Sequence, residues 1–249
     1  MKSYPEMIIF DVDGVLVDTR HSFQRTTLQT VRSFTKKRVT VREWHAWKNR
    51  PGFNDDWKLS TQWINDLGVK ITFDEVKTKF QEIYWGDDGA GNVANEKWLL
   101  PKTTIQRLAK GSDLAIFTGR LWKELNYTLD RNELRGLFRI VTVEDVKNPK
   151  PAPDGLLKLL EGRDPGVALY IGDNVDDALA AQSAKVPFVG VLPRSSHARR
   201  ERGPGLDELG ALAILADVNE LEDWLRTSVD RPRSIGLKHS RRAQTSANC

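Results

Sequence analysis

The short apolar run Met7-Ile8-Ile9-Phe10 breaks off at Asp11-Val12-Asp13-Gly14. Along an extended chain, residues i and i+2 project to the same side, so Asp11 and Asp13 share one side of a strand end. Two carboxylates placed this way can attack an electrophile, move a proton or hold a cation. The same spacing also serves a solvated loop or the cap of a following helix. Further signals lie downstream. Residues 114–117 are apolar and run into Thr118-Gly119-Arg120, whose hydroxyl and amides can hold a phosphate oxygen, or simply cap a helix. Lys150 adds a cation within Lys150-Pro151-Ala152-Pro153, where prolines stiffen the backbone. Residues 168–171 run into Gly172-Asp173-Asn174-Val175-Asp176-Asp177, and Mg²⁺ favours a few carboxylates completed by water and substrate oxygens. A nucleophile, an acid/base, an anion holder, a cation and a metal site are the parts of phosphoryl transfer through an aspartyl phosphate.

These groups need a scaffold that brings strand ends together. Apolar runs at 7–10, 114–117, 140–143, 168–171 and 188–192, with a weaker one at 212–216, read as strands. Helix-like stretches at about 121–130, 154–162, 175–184 and 218–226 alternate with them. Strands that are apolar throughout and alternate with helices predict an α/β fold, a Rossmann-like doubly wound parallel sheet covered on both faces. In such sheets ligands bind beyond the carboxyl ends of the strands, where every acidic or Thr-Gly break falls.

Residues 19–98 interrupt that rhythm. Phe73, Val76, Phe80, Ile83 and Tyr84 recur at helical spacing, and Thr72 with Glu75 forms a capping-box start. Trp44, Trp47, Trp57, Trp63 and Trp85 cluster here, which points to a helical unit with its own core or pocket. The predicted organisation is an α/β core from 1–18 and 99–227, an inserted all-helical cap at 19–98, and a basic tail at 228–249. Residues 194–210 are polar and Gly-rich and read as a long loop. The tail carries few apolar groups and reads as disordered.

Composition narrows the function classes. The 249 residues carry a net charge of +4, which becomes −1 once the five basic residues of 231–249 are set aside. The body therefore implies no basic patch for nucleic acid. A single cysteine, Cys249, excludes an intrachain disulfide or a zinc cluster and fits a cytosolic protein. No apolar segment reaches the 18–20 residues of a membrane span, and the first residues lack a signal-peptide pattern.

The run Asp11-Val12-Asp13-Gly14-Val15-Leu16-Val17-Asp18-Thr19 resembles the first motif of the haloacid dehalogenase (HAD) superfamily, in its phosphatase branch. Phe117-Thr118-Gly119-Arg120 resembles the second, with Thr118 where Ser is commoner. Lys150 matches the third and Gly172 through Asp177 the fourth. The inserted helices resemble the helical cap of subfamily I, which includes phosphoglycolate phosphatases. The segment from Asn49 to Trp57 resembles a subgroup linked to histidine-biosynthesis proteins.

The resemblance implies a Mg²⁺-dependent phosphatase acting on a small phosphorylated metabolite. Asp11 would be the nucleophile and Asp13 the acid/base. The Asp11 carboxylate, the Asp13 backbone carbonyl and Asp173 would hold Mg²⁺. Thr118, the Gly119 amide and Lys150 would bind the phosphoryl oxygens, and Asp177 would orient the metal shell or Lys150. Substrate choice falls to cap residues, with Arg50, Asn54, Asp55, Asp56 and Trp57 as candidates; a helix cap near Asp55 is the competing reading of that turn. Alternatives are a phosphosugar mutase, a histidinol-phosphate-type phosphatase, a haloacid dehalogenase and a non-catalytic binding protein. Asp13 argues against the dehalogenase, which needs neither Mg²⁺ nor an acid two residues after the nucleophile.

Overall fold

The computed structural model describes residues 4–50, 52–53, 55–194 and 197–229. Strand β1 (Met7–Phe10) lies inside a six-stranded sheet. On one side stand β4 (Asp113–Phe117) and then β5 (Arg139–Val141); on the other stand β6 (Ala168–Gly172), β7 (Phe188–Val191) and β8 (Ile214–Leu215). Every pairing in the sheet is parallel. The separate strands β2 (Val17–Asp18) and β3 (Lys97–Trp98) pair antiparallel.

The apolar runs become central strands because both faces are covered. Ile8 and Phe10 enter one apolar cluster with Leu114, Ile116, Leu169 and Ile171. Met7 and Ile9 enter another with Ala115, Phe117, Ala168 and Tyr170. This is the period-two alternation of a strand buried on both sides. Helices α5 (Lys102–Leu108), α6 (Trp122–Arg131) and α10 (Leu221–Val229) cover the first face through Ile105, Leu125 and Leu225. Helices α7 (Asp154–Leu160), α8 (Val175–Ala184) and α9 (His197–Glu208) cover the second through Leu156, Ala181 and Leu206.

Between β2 and β3 the chain forms helices α1 (Phe23–Thr35), α2 (Val41–Lys48), α3 (Asp56–Asp66) and α4 (Phe73–Trp85). They pack on one another around Leu28, Val31, Trp47, Leu59, Trp63, Ile64 and Val76. A second cluster joins Phe23, Phe80 and Tyr84. Burying each such side chain is worth about 1.5–3 kcal/mol, so this block has an apolar core of its own. The capping box at Thr72 and Glu75 is formed, and Thr40 with Glu43 forms another. The two chain crossings into and out of the block are tied by Val17 opposite Trp98 and Asp18 opposite Lys97.

Three local expectations need correction. Residues 197–208 are helix α9 and not loop. Leu206 is fully buried and Arg199 donates to the Leu192 and Ile214 carbonyls, so tertiary anchoring overrides the weak local propensity. Strand β5 stops at Val141 because Thr142 caps a 3-10 turn at Val143–Asp145, accepting from the Glu144 amide at 3.2 Å. The final helix begins only after a 3-10 turn at Val218–Glu220, capped by Asp217. Of the tail, 228–229 belong to α10, and 230–249 lie outside the described residues.

Gly155 opens α7 directly against Phe117, the residue that delivers Thr118, and a Cβ there would overlap the Phe117 ring. Gly155→Ala gains up to about 1 kcal/mol of helix propensity but overpacks the core by about 1–3 kcal/mol. The expected result is a lower urea midpoint; an unchanged or higher midpoint would show that the packing of α7 on β4 yields there.

Candidate active site

The carboxyl ends of β5, β4, β1 and β6 lie side by side, and the segments after them supply the candidate groups. The Asp11 amide donates to the Ile171 carbonyl at 2.8 Å, which fixes the turn after β1 against β6. The buried Asp11 carboxylate meets Lys150 Nζ at 2.8 Å. Lys150 also donates to Asp177 at 2.7 Å. Asp177 Oδ1 accepts the Tyr170 hydroxyl at 2.7 Å, and its Oδ2 accepts the amides of Asp173 and Asn174 at 3.1 and 3.3 Å. Asn174 caps α8 in turn by accepting from the Asp177 amide.

Asp173 reaches the first loop only because Gly14 has no side chain. Gly14 adopts φ +81°, and a Cβ there would stand 2.7 Å from Asp173 Cγ. Side-chain oxygens of Asp11, Asp173 and Asp177 all lie within 4.8 Å of one another. This all-oxygen donor set suits a hard divalent cation. Asp177 already accepts from four donors, so Asp11 and Asp173 are the carboxylates left to hold an ion. Burial raises the Asp11 carboxyl well above its ordinary range, with Lys150 opposing and the neighbouring aspartates adding to the rise. Burial raises Asp173 as well, although Arg202 counters it. Burial disfavours the charge on Lys150, yet Asp11 and Asp177 raise its pKa above that of a free lysine. The cluster is therefore short of positive charge, and a cation held there would relieve it.

On the opposite flank of Asp11, Asp13 is gripped by Arg120. Nε and Nη2 of Arg120 donate to Asp13 Oδ1 at 2.9 and 2.6 Å. The same guanidinium donates to both oxygens of Glu96 at 2.9 Å and to Thr128 Oγ1 at 2.8 Å. Burial raises the Asp13 carboxyl, and Arg120 holds that rise in check.

One cavity of about 450 Å³ joins these groups to the helical block. Asp11, Asp13, Gly119, Lys150 and Asp173 line it. Asp177 and Thr118 stand behind the wall. Thr118 is fully buried, and its hydroxyl accepts the Arg120 amide at 3.2 Å. From the helical block, Trp44, Lys48, Arg50, Asp55, Asp56, Trp57 and Lys58 face the same space. Arg50 stacks on Trp47 at 4.1 Å, and the Trp57 indole nitrogen is buried with no hydrogen-bond partner among the described residues. Asp55 caps α3, accepting from the amides of Trp57 and Lys58 at 2.8 and 3.2 Å. Asp56 pairs with Lys48 at 3.1 Å. Asn54 lies outside the described residues.

Sequence reasoning overlooked Arg120, Glu96, Glu124 and Arg202. Arg120 was within reach, as the residue after a Thr-Gly strand end. Glu96 and Glu124 carry no local mark. Arg202 sits in a segment read as loop, and donates to the Asp173 carbonyl at 3.0 Å.

Comparison with known proteins gives the family and the fold. The family described as haloacid dehalogenase-like hydrolase matches residues 8–191. An imidazoleglycerol-phosphate dehydratase of Phytophthora nicotianae is 28% identical over 235 residues; the match covers 86% of this chain but only 51% of that protein, so the chain spans about half its length. Pyrophosphatase PpaX of Bacillus velezensis is 25% identical, covering 74% of this chain and 82% of that one. Phosphoglycolate phosphatase 1 of Pseudomonas aeruginosa is 26% identical, covering 86% and 80%. Among solved structures, a haloacid dehalogenase-like protein of unknown function from Agrobacterium tumefaciens superposes with TM-score 0.70 at 17% identity. That superposition covers 90% of this chain and 99% of the other, and shows the shared fold.

Glu124 carries a pH signature. Burial pushes its carboxyl up to about 7 from an ordinary 4.5, against hydrogen bonds from the Leu121 amide and Gln81. The folded protein thus keeps a proton that the unfolded chain has lost. That contribution to stability is complete below pH 4.5 and disappears as pH rises through about 7. Glu124→Gln removes the titration, so its stability relative to the parent should rise by roughly 2–3 kcal/mol between pH 4.5 and 8. Denaturant unfolding at the two pH values measures this; a constant gap would exclude Glu124 as the titrating group.

Proposed function

The chain belongs to the haloacid dehalogenase-like hydrolases, and from that premise we propose that it is a phosphatase of small phosphorylated metabolites using Asp11 as nucleophile. The observation that carries this reading is the buried Asp11–Lys150 pair at 2.8 Å, open to a cavity that Asp13, Gly119 and Asp173 also line. The names of two relatives, a pyrophosphatase and a phosphoglycolate phosphatase, support phosphoryl transfer over displacement of a halide.

In this reading, Lys150 and the Gly119 amide hold the phosphoryl oxygens. The Asp11 carboxylate forms a bond to phosphorus as the bond to the leaving oxygen breaks. The Asp13 carboxyl gives its proton to that oxygen, then takes one from the water that attacks the aspartyl phosphate. Inorganic phosphate leaves and Asp11 is regenerated. Asp11, Asp173 and the Asp13 carbonyl would hold Mg²⁺, which supplies charge neutralisation between carboxylate and phosphate. Thr118 contributes from behind the wall by shaping the loop through its bond from the Arg120 amide.

The helical block at 19–98 acts as the cap over a core at 1–18 and 99–227. Phosphoryl binding by the core is common to all substrates, so the cap can discriminate only through the leaving group. Arg50 and Trp57 face that end of the cavity, whereas Asp55 serves chiefly as a helix cap. Among the described residues no helix is long and apolar enough to cross a membrane. The lone Cys249 supports a cytosolic site of action.

Phosphate release from a panel of phosphate esters tests the proposal. Activity should require Mg²⁺ and stop with EDTA. Asp11→Asn should reduce turnover by about 10³-fold or more while keeping the fold, seen by circular dichroism. Steady release by a folded Asp11→Asn protein, or full activity in EDTA, would overturn the mechanism.

A further inference from the structure

Arg120 is the largest fully buried side chain among the described residues. Burying a guanidinium costs several kcal/mol unless its donors are paired. Here the pairing joins two distant parts of the fold. Asp13 comes from the loop after β1. Glu96 comes from the segment that leads back from the helical block, just before β3. Both carboxylates are held by the same fork, and Thr128 of α6 closes the network, donating to Glu96 at 3.0 Å. Tyr84 of α4 adds a hydroxyl bond to Glu96 at 2.9 Å. The Phe23 ring lies 5.1 Å from the guanidinium carbon. The Glu96 side chain is 5% exposed and does not line the cavity, whereas that of Asp13 is 37% exposed and does.

The arrangement has a chemical consequence. Two N–H groups of Arg120 point at Asp13 Oδ1. That oxygen has no room for a proton of its own facing those donors. Oδ2 makes no hydrogen bond to a described residue. We propose that Arg120 is the positioning residue of the acid/base: it fixes the Asp13 carboxyl so that Oδ2 alone gives and takes the proton. Glu96, without touching substrate, holds Arg120 in that pose and ties it to the returning strand of the cap. The inference rests on the reading of Asp13 as acid/base. The proton balance is that of the parent mechanism: it leaves Oδ2 for the leaving oxygen and returns to Oδ2 from water.

Glu96→Gln tests it with little change of volume. The amide keeps one accepting oxygen and puts an N–H group where the other stood, so the two-point grip of Glu96 on the fork is lost. Arg120→Lys keeps a charge but cannot bridge both carboxylates. Both variants are compared with the parent on an alkyl phosphate and on p-nitrophenyl phosphate, whose leaving group needs little protonation. The value of kcat/KM reports the step up to loss of the leaving group. For the alkyl ester it should fall at least about tenfold more than for the aryl ester. Intact-mass measurement after quenching should show a phosphate adduct accumulating, because water is activated more slowly. A merely structural role would lower both substrates alike and leave no adduct, and that result overturns the proposal. Should Arg120→Lys fail to fold, Glu96→Gln and Thr128→Val carry the same comparison. Asp13→Asn separates the two levels of inference. If it shows neither the alkyl/aryl split nor the adduct, the acid/base reading itself fails. If it shows both and the Arg120 and Glu96 variants do not, only the positioning role fails.

Discussion

The buried ammonium of Lys150, held between Asp11 and Asp177, is the interaction on which the rest of the site depends. Parallel strands deliver their carboxyl-end loops to one edge, and in this chain those loops carry Asp11, Asp13 and Asp173, with Asp176 and Asp177 in the first turn of α8. So many carboxylates in a half-desolvated place repel one another and lose hydration. Lys150, in the segment between β5 and α7, offsets part of that cost and fixes the direction of Asp11. Asp177, turned inward by two backbone amides and the Tyr170 hydroxyl, keeps the lysine in place. Removing either partner would leave a buried charge alone, which is far more costly than the pair is stabilising.

Arg120 repeats the solution on the other flank with a different outcome. Lys150 is a point charge and serves one oxygen of each partner. Arg120 is a planar fork, and it arrests the rotation of Asp13 while reaching a second carboxylate. The two cations divide the pair that opens the site: Asp11 is held next to an ammonium and a metal-type cluster, and Asp13 next to a guanidinium linked to the cap. Two carboxylates with different surroundings can take different roles.

The helical block contributes a wall of another kind. Its side of the cavity mixes indole rings with Lys48, Arg50 and Lys58, several of them stacked on aromatics. In the proposed function this surface would meet the apolar and polar parts of the leaving group. The core side carries most of the acidic groups, with Val143, Pro149, Pro151 and Val175 between them. The β2–β3 pair keeps these two surfaces in register by joining the chain segments that leave and re-enter the core.

Much of this was readable from local patterns. Alternating apolar runs marked the six strands, because a strand covered on both faces must be apolar at consecutive positions. The i, i+2 spacing placed Asp11 and Asp13 together, and Thr72 with Glu75 marked a helix start, because capping is settled within four residues. The sequence by itself therefore determined the sheet, the inserted helices and the principal carboxylates. Only the tertiary structure decided which groups those carboxylates meet. Glu96 joins Arg120 across 24 residues and, through it, Asp13 across 83, and no periodicity links them. Helix α9 forms against the local Gly and Pro content because Leu206 and Arg199 are anchored on β7 and β8. That anchoring brings Arg202 to Asp173. The physical reason is range: propensity, capping and side-chain alternation act over a few residues, whereas burial of charge is resolved only when distant loops close over the same volume.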